Sequence, residues 1–457
     1  MFNDTICALA TAAVESGIGI IRISGSESVQ IASKFIRSKS GKPVDISKSH
    51  QVKYGFVYSD NDPLDEVLVI TMLGPKSYTG EDTVEIDCHG GVLMMKKIID
   101  VAIKNGCRLA EPGEFTKRAF LNGRIDLSEA EAVGDIISSE NEFALKASIN
   151  QLRGSVSDNI KKYRAQILED LAYIEAGLDD PEHIDISGFT GTLSNHITSI
   201  KNDLLYMISS ADDGKMLKEG IKTVILGKPN AGKSSLLNSL VGSDRAIVTD
   251  VAGTTRDTLE EHINLKGVSL TIIDTAGIRD TEDTVEKIGV ERALEAANNA
   301  DLIIYVVDSS IRLDVSDYKI IDKIRDRKCI VLLNKTDLIQ IIDQKELEEL
   351  TGKKVIPFSA KTSVGIDKLE SEIHELFFSN SISFNDQMLI TNVRHKNCLI
   401  NAEGSLNEVL NSINLGLPED FFTIDLLHAY EELGYILGEE VSEDLINEIF
   451  SKFCMGK

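Results

Sequence analysis

Gly227-Lys228-Pro229-Asn230-Ala231-Gly232-Lys233-Ser234 carries the G-x-x-x-x-G-K-[ST] spacing of a phosphate-binding loop. Such a loop turns consecutive backbone N–H groups towards phosphate oxygens, helped by the positive end of the following helix. Lys233 is suited to neutralise the β and γ phosphates and Ser234 to give Mg²⁺ a hard oxygen, with Asn230, Ala231, Gly232 and Ser235 completing the cradle. Asp274-Thr275-Ala276-Gly277 offers a carboxylate that can orient Mg²⁺ and an N–H at Gly277 that can sense the γ-phosphate. Asn334-Lys335-Thr336-Asp337 supplies a second kind of selectivity. An ionised Asp337 only accepts, so it pairs with the N1–H and amino group of guanine and would be left unpaired by adenine. Ser359-Ala360-Lys361 completes the base pocket, and the predicted nucleotide is GTP.

In Gly253-Thr254-Thr255-Arg256-Asp257, Thr254 or Thr255 is the switch threonine that reaches Mg²⁺ in the GTP state. Hydrolysis needs an oriented water. Ile278 stands where Ras-type proteins place a glutamine, so that route is closed. Glu286, in Val285-Glu286-Lys287-Ile288-Gly289, could polarise the water, although composition alone reads it as an exposed helix-start charge. No arginine finger is identifiable, and a cation held by the Asn230 oxygen could take its place.

Elements must position these groups. Apolar runs at Thr223 to Leu226, Leu270 to Ile273, Ile330 to Leu333 and Val355 to Phe358 precede the motifs as strands, and Ser235 to Val241 follows the loop as a helix. The nucleotide module therefore spans about residues 216–380 as an α/β P-loop (Ras-like) G domain. Before it, apolar positions from Leu145 through Ile149, Leu152, Val156, Ile160, Tyr163, Ile167, Leu171 and Ile174 to Leu178 mark one face of a single long helix stopped by Asp179-Asp180-Pro181. A second amphipathic run from Leu193 to Ile208 is expected to end near Ala211-Asp212-Asp213-Gly214. Helical patterning resumes at about Ser383, through Leu406, Val409, Leu410, Ile413, Leu426, Leu427, Tyr430 and Leu433. The economical reading is one α-helical bundle domain, residues 121–215 and 381–457, with the G domain inserted; two separate helical domains are the alternative.

Residues 1–120 read as an α+β domain: β-type runs at Gly19 to Ile23, Tyr54 to Tyr58, Val67 to Met72 and Val84 to Cys88, then a helix from Val92 to Ala102. From Lys96 to Arg124 there are seven Lys or Arg against three acids, and spacing alone favours a solvated helix face. Ser77 to Asp82, Pro112 to Thr116 and Ala119 to Arg124 are dense in polar and glycine residues. A carboxylate such as Glu81 and a cation such as Arg22 or Arg124 could hold a small polar ligand from two sides.

The balance of the chain narrows its class. Its 457 residues, 42% apolar, suit about three domains. A net charge of −25 argues against a general nucleic-acid coat, so RNA contact must be local or shared with a partner. Neither a charged signal front nor a bilayer-length apolar run is seen, and a cytoplasmic location is expected. The six cysteines lack a C-x-x-C pair and read as reduced thiols; Cys88-His89 reads as structural.

With these motifs in order, the whole chain resembles the MnmE (TrmE) family of tRNA-modification GTPases. The carrying residues are Gly17 to Gly25, the Ser77 to Asp82 and Pro112 to Arg124 stretches, the GTPase motifs, and Cys454-Met455-Gly456-Lys457. The resemblance implies a folate-binding, dimerising amino-terminal domain, a helical domain, and G domains activated by meeting around potassium. It also implies a homodimer that forms a heterotetramer with the FAD-dependent protein MnmG. The complex installs a 5-carboxymethylaminomethyl or aminomethyl group on the wobble uridine of certain tRNAs, using a 5,10-methylene- or 5-formyl-tetrahydrofolate. By position, Arg22, Glu81, Arg124 and Lys457 contact folate; Asn230, Thr249, Val251 and Thr254 surround K⁺; Ser234 and Thr255 hold Mg²⁺. Asp250, Ala252 and Gly253 join the GTP contacts. Glu286, Cys454, Arg256 and Asp257 are the catalytic candidates. Ala12-Ala13-Val14-Glu15-Ser16 and Asp180 depart from the family pattern. The rival is a ribosome-assembly GTPase switch, which usually appends a basic domain; residues 380–457 carry 13 acids and four bases instead.

Overall fold

The computed structural model describes residues 4–139, 141–183, 188–241, 261–265, 268–273, 297–378 and 389–457. The chain forms two compact units, one from Met1–Ile137, Gln151–Thr198 and Gly404–Lys457, the other from Ser138–Asn150 and Ser199–Glu403.

The first unit holds strands β1 (Ile6–Leu9), β2 (Ser16–Ser24), β3 (Ile36–Arg37), β4 (Gln51–Ser59), β5 (Asp62–Met72), β6 (Thr83–Gly90) and β7 (Arg108–Leu109), in the sheet order β3-β4-β5-β6-β2-β1-β7. All pairs are antiparallel except β1 with β7. Alternation decides which face is covered. Val57, Val67, Val69, Val84, Ile86, Ile21 and Ile23 are buried in one cluster with side chains of the helices Ser28–Phe35 and Val92–Lys104. Val52, Tyr54 and Leu68, on the other face, are exposed. The four expected strands lie within β2, β4, β5 and β6.

The single long helix of the sequence reading is two helices, Glu142–Leu152 and Ser155–Asp179. Apolar spacing continues in phase across the break, but Gly154 has φ 93°, a left-handed turn that no helix propagates through. The second helix does stop at Asp179. Its Val156, Ile160, Tyr163, Ile167, Leu171 and Ile174 are buried. Arg164 ties it to the helix Asp420–Leu437: its guanidinium stacks 4.0 Å from the Tyr430 ring centroid, donates to the Tyr430 carbonyl at 3.1 Å, and pairs with Glu439 at 2.5 Å. Segments 151–198 and 404–457, from before and after the nucleotide module, therefore pack together within one unit.

The helix expected to end near Gly214 runs from Phe189 to Glu219. Gly214 is not a terminator; a side chain there would run into the Ile390 carbonyl and Leu389, so its small size serves close approach. Ser383 lies outside the described residues, and the next helix is Val393–Asn414.

The second unit's sheet has strands β8 (Ile221–Leu226), β9 (Glu261–Leu265), β10 (Val268–Ile272), β11 (Leu302–Asp308), β12 (Cys329–Asn334) and β13 (Val355–Pro357), ordered β13-β12-β11-β8-β10-β9. Only β9 with β10 is antiparallel. β11 is buried along its whole length, and apolar clusters cover both faces. The chain leaves β8 to one side and returns to β11 on the other, so the crevice beyond their carboxyl ends is the topological switch point where such sheets bind ligands.

Candidate nucleotide and ligand sites

The phosphate-binding loop fills that crevice. It follows β8 and leads into the helix Lys233–Val241. Asn230 adopts φ 61°. The Lys233 ammonium donates to the carbonyls of Gly227 at 2.8 Å and Lys228 at 2.9 Å, which bends the loop around its own cation. Lys228 is anchored outward: its ammonium pairs with Asp317 at 2.6 Å and Asp314 at 3.0 Å, at the capping box of the helix Val315–Ile324. Ser234 and Ser235 lie exposed on the first turn after the loop.

Asn334, 2% exposed at the end of β12, joins three motifs. Its Nδ2 donates to the Ala231 carbonyl at 2.8 Å, and its Oδ1 accepts from the Ala360 N–H at 3.2 Å. Asp337 accepts from the Ser359 hydroxyl at 2.8 Å, and Thr336 donates to the Phe358 carbonyl through N–H and hydroxyl. Lys335 pairs with Asp308 at 2.6 Å, and Lys361 is exposed at the rim. Phosphate loop and base loops are thus one hydrogen-bonded body. Thr249, Asp250, Val251, Ala252, Gly253, Thr254, Thr255, Arg256, Asp257, Asp274, Thr275, Ala276, Gly277 and Glu286 lie outside the described residues.

The amino-terminal unit gathers a second set. Arg22, Arg124 and Lys457 surround the Tyr78 ring, with cationic groups 5.3, 5.0 and 5.7 Å from its centroid. The Tyr78 hydroxyl bonds Thr116 at 2.9 Å, and Arg124 donates to the Tyr78 carbonyl at 2.9 Å. Arg22 also pairs with Glu85 at 2.7 Å and donates to the Gly456 carbonyl at 3.3 Å. The last residues are seated here: the Gly113 N–H donates to the Cys454 carbonyl at 3.4 Å and the Phe115 N–H to the Lys457 carbonyl at 3.2 Å. Burial, followed by the nearby Arg22 guanidinium, holds the Lys457 amine below its usual value. The Cys454 side chain is exposed. Glu81 accepts from Ser24 at 2.8 Å and from Arg118 at 3.3 Å.

The solvated-face reading of Lys96 to Arg124 fails at Arg118, whose side chain is fully buried among Asp4, Glu81 and Glu114. Charge counting along the chain does not see carboxylates that arrive from elsewhere in sequence. Tyr78 and Arg118 were not singled out by sequence reasoning; the one available signal was an aromatic inside the polar Ser77 to Asp82 stretch. Cys88 is buried with its thiol on the Gly19 carbonyl, and exposed His89 pairs with Asp65 at 2.6 Å. No group of metal-ligating side chains occurs among the described residues.

A doubly wound sheet, a phosphate loop at its switch point and an Asn-Lys-Thr-Asp base loop define a P-loop guanine-nucleotide-binding protein carrying an α+β domain and a helical domain. Residues 5–124 match the family model described as GTP-binding protein TrmE N-terminus, and residues 127–454 match that described as MnmE helical domain. The chain belongs to the MnmE family of tRNA modification GTPases. It is 53% identical to the tRNA modification GTPase MnmE of Lachnoclostridium phytofermentans over 100% of both chains. It is 47% identical to that of Clostridioides difficile over 100% of this chain and 99% of the relative. Among solved structures, the G domain of the T. maritima FeoB iron transporter matches at 30% identity over 34% of this chain and 98% of that one, with a TM-score of 0.26.

Proposed function

We propose that this chain is a cytoplasmic, potassium-dependent GTP hydrolase that works with the FAD-dependent protein MnmG in a heterotetramer. The complex installs a 5-carboxymethylaminomethyl or aminomethyl group on the wobble uridine of certain tRNAs. The observation that carries the reading is the full-length identity to curated tRNA modification GTPases. Residues 1–120 form the folate domain, 121–215 and 381–457 the helical domain, and 216–380 the G domain. No helix among the described residues is long and apolar enough to cross a membrane. The exposed Val52, Tyr54 and Leu68 on the open sheet face support homodimerisation through the amino-terminal unit.

The donor chemistry of the described groups fits the expected ligands. Ser234 presents a hard hydroxyl oxygen at the loop exit for Mg²⁺, with Thr255 as its partner. Asn230 offers an amide oxygen for K⁺, completed by Thr249, the Val251 carbonyl and Thr254. A bound cation supplies charge neutralisation at the phosphates in place of an arginine finger. Lys233 holds the phosphates, Asp337 selects guanine, and Glu286 orients the attacking water. For a tetrahydrofolate derivative, the Tyr78 ring offers a stacking face, Arg22, Arg124 and Lys457 attract its carboxylates, and Glu81 accepts from ring N–H groups. The bound folate supplies the one-carbon unit, and Cys454 lies on the tail that lines the same site.

The test is GTP turnover by the purified protein in potassium and in sodium. Turnover should fall sharply in sodium, and Glu286→Ala should depress it while sparing nucleotide binding. Equal rates in both salts would remove the cation mechanism, and retained turnover in the variant would return Glu286 to an exposed charge.

A further inference from the structure

Arg118 is among the largest fully buried side chains and is shut off from bulk solvent. A buried guanidinium is tolerated only where its fork is fully matched. Here carboxylates match it from three directions. Its Nη2 donates to Glu114 at 2.9 Å and to Asp4 at 2.8 Å, and its Nη1 donates to both Glu81 oxygens at 3.3 Å and to the Asp4 carbonyl at 2.9 Å. Glu81 is one of the residues that face the candidate folate, and its other partner is the buried Ser24.

Glu114 extends the connection. It receives Arg108 at 2.6 Å and the Glu111 N–H at 2.8 Å, so it is held from three sides. It stands between Gly113 and Phe115, whose N–H groups grip the carbonyls of Cys454 and Lys457. Any displacement of Glu114 moves both grips, because they are its immediate chain neighbours.

We propose that Arg118 is a positioning residue that fixes Glu81 for the ligand and, through Glu114, fixes the 113–115 seat of the carboxyl-terminal tail, so that the two walls of the site are set by one guanidinium. The inference rests on the folate reading for its ligand. It assigns Arg118 no contact with that ligand, only control of two groups that make contact. Lysine at 118 keeps the charge but cannot bridge several carboxylates with a planar fork.

Two readouts separate the inference from the folate reading. Binding of 5-formyl-tetrahydrofolate by calorimetry should weaken about tenfold or more in Arg118→Met and less in Arg118→Lys. In a Glu81→Gln background, Arg118→Met should cost clearly less than in the wild-type background, because one of its two routes is already gone and only the tail seat is left to lose. Hydrogen exchange read by mass spectrometry needs no folate: amides at 113–115 and in the tail should exchange at least about tenfold faster in Arg118→Met and be partly restored in Arg118→Lys, with β5 and β6 unchanged. If the wild type binds no folate while the exchange pattern holds, the folate reading fails and the positioning role stands. Additive losses in the Glu81 background, or unchanged exchange at 113–115, overturn the inference. Should Arg118→Met not fold, the lysine variant decides: wild-type affinity and exchange in it overturn the role of the fork.

Discussion

Removing the Asn334 side chain would detach the base loops from the phosphate loop. In Asn334→Ala the Ala231 carbonyl and the Ala360 N–H both lose their partner in a place where Asn334 is 2% exposed. Each buried group left unpaired costs about 1–3 kcal/mol. Taking the lower figure for each of the two groups gives about 2 kcal/mol. If that cost falls on the nucleotide-binding arrangement, affinity drops roughly 30-fold. Asn334→Asp should do at least as much harm, since it keeps the acceptor for Ala360 but sets a carboxylate against the Ala231 carbonyl. The assay is titration with a fluorescent GDP, with stopped-flow dissociation to locate the loss in the off-rate. Folate binding in the amino-terminal unit should be untouched. An affinity within about twofold of wild type in both variants would refute the idea that Asn334 makes one body of the three motifs.

The remaining predictions concern stability and the second site. Burial opposes ionisation of Glu114, but its bonds with Arg108, the Glu111 N–H and Arg118 outweigh this and hold its carboxyl below the usual 4.5. The stability it contributes is therefore present above 4.5 and lost as pH falls through its lowered value. Urea melts should show Glu114→Gln about 2 kcal/mol weaker than wild type at pH 7, with the gap closing below that range; a constant gap would contradict the assignment. Gly154→Ala forces a Cβ into left-handed backbone and should cost about 1 kcal/mol in the same assay, with no cost if the two helices can fuse. Gly214→Val must push against the Ile390 carbonyl and should lower the melting temperature by an amount corresponding to about 1–3 kcal/mol, whereas an unchanged melt would mean that the 389–390 segment yields freely.

The parts legible in sequence were those with fixed spacing or clean period. The phosphate loop reads directly because its geometry demands particular residues at particular steps, and the strands ahead of the motifs are short apolar runs bounded by turn residues. Buried β-rich segments of the amino-terminal domain were visible for the same reason, while β3 and β7 have two residues each and carry no period. The helix break at Gly154 escaped notice because the apolar positions on either side, Leu152 and Val156, keep helical spacing. Gly214 misled in the opposite sense: an Asp-Asp-Gly run looks like a helix end, but the glycine answers to a neighbour 176 residues further along, at Ile390. Arg118 was hidden because its burial depends on Asp4 and Glu81, which only the fold brings to it. Arg22, Glu81, Arg124 and Lys457 were accessible through family resemblance, yet the Tyr78 ring that unites the three cations became apparent only in three dimensions.

The most direct test of the central claim is a mass-spectrometric nucleoside analysis of total tRNA from otherwise identical cells with and without this chain. Loss of the 5-aminomethyl-type wobble uridines on deletion, with restoration by the wild-type chain, is the predicted result. An unchanged nucleoside profile would contradict the account and leave a guanine-nucleotide switch acting in another RNA process.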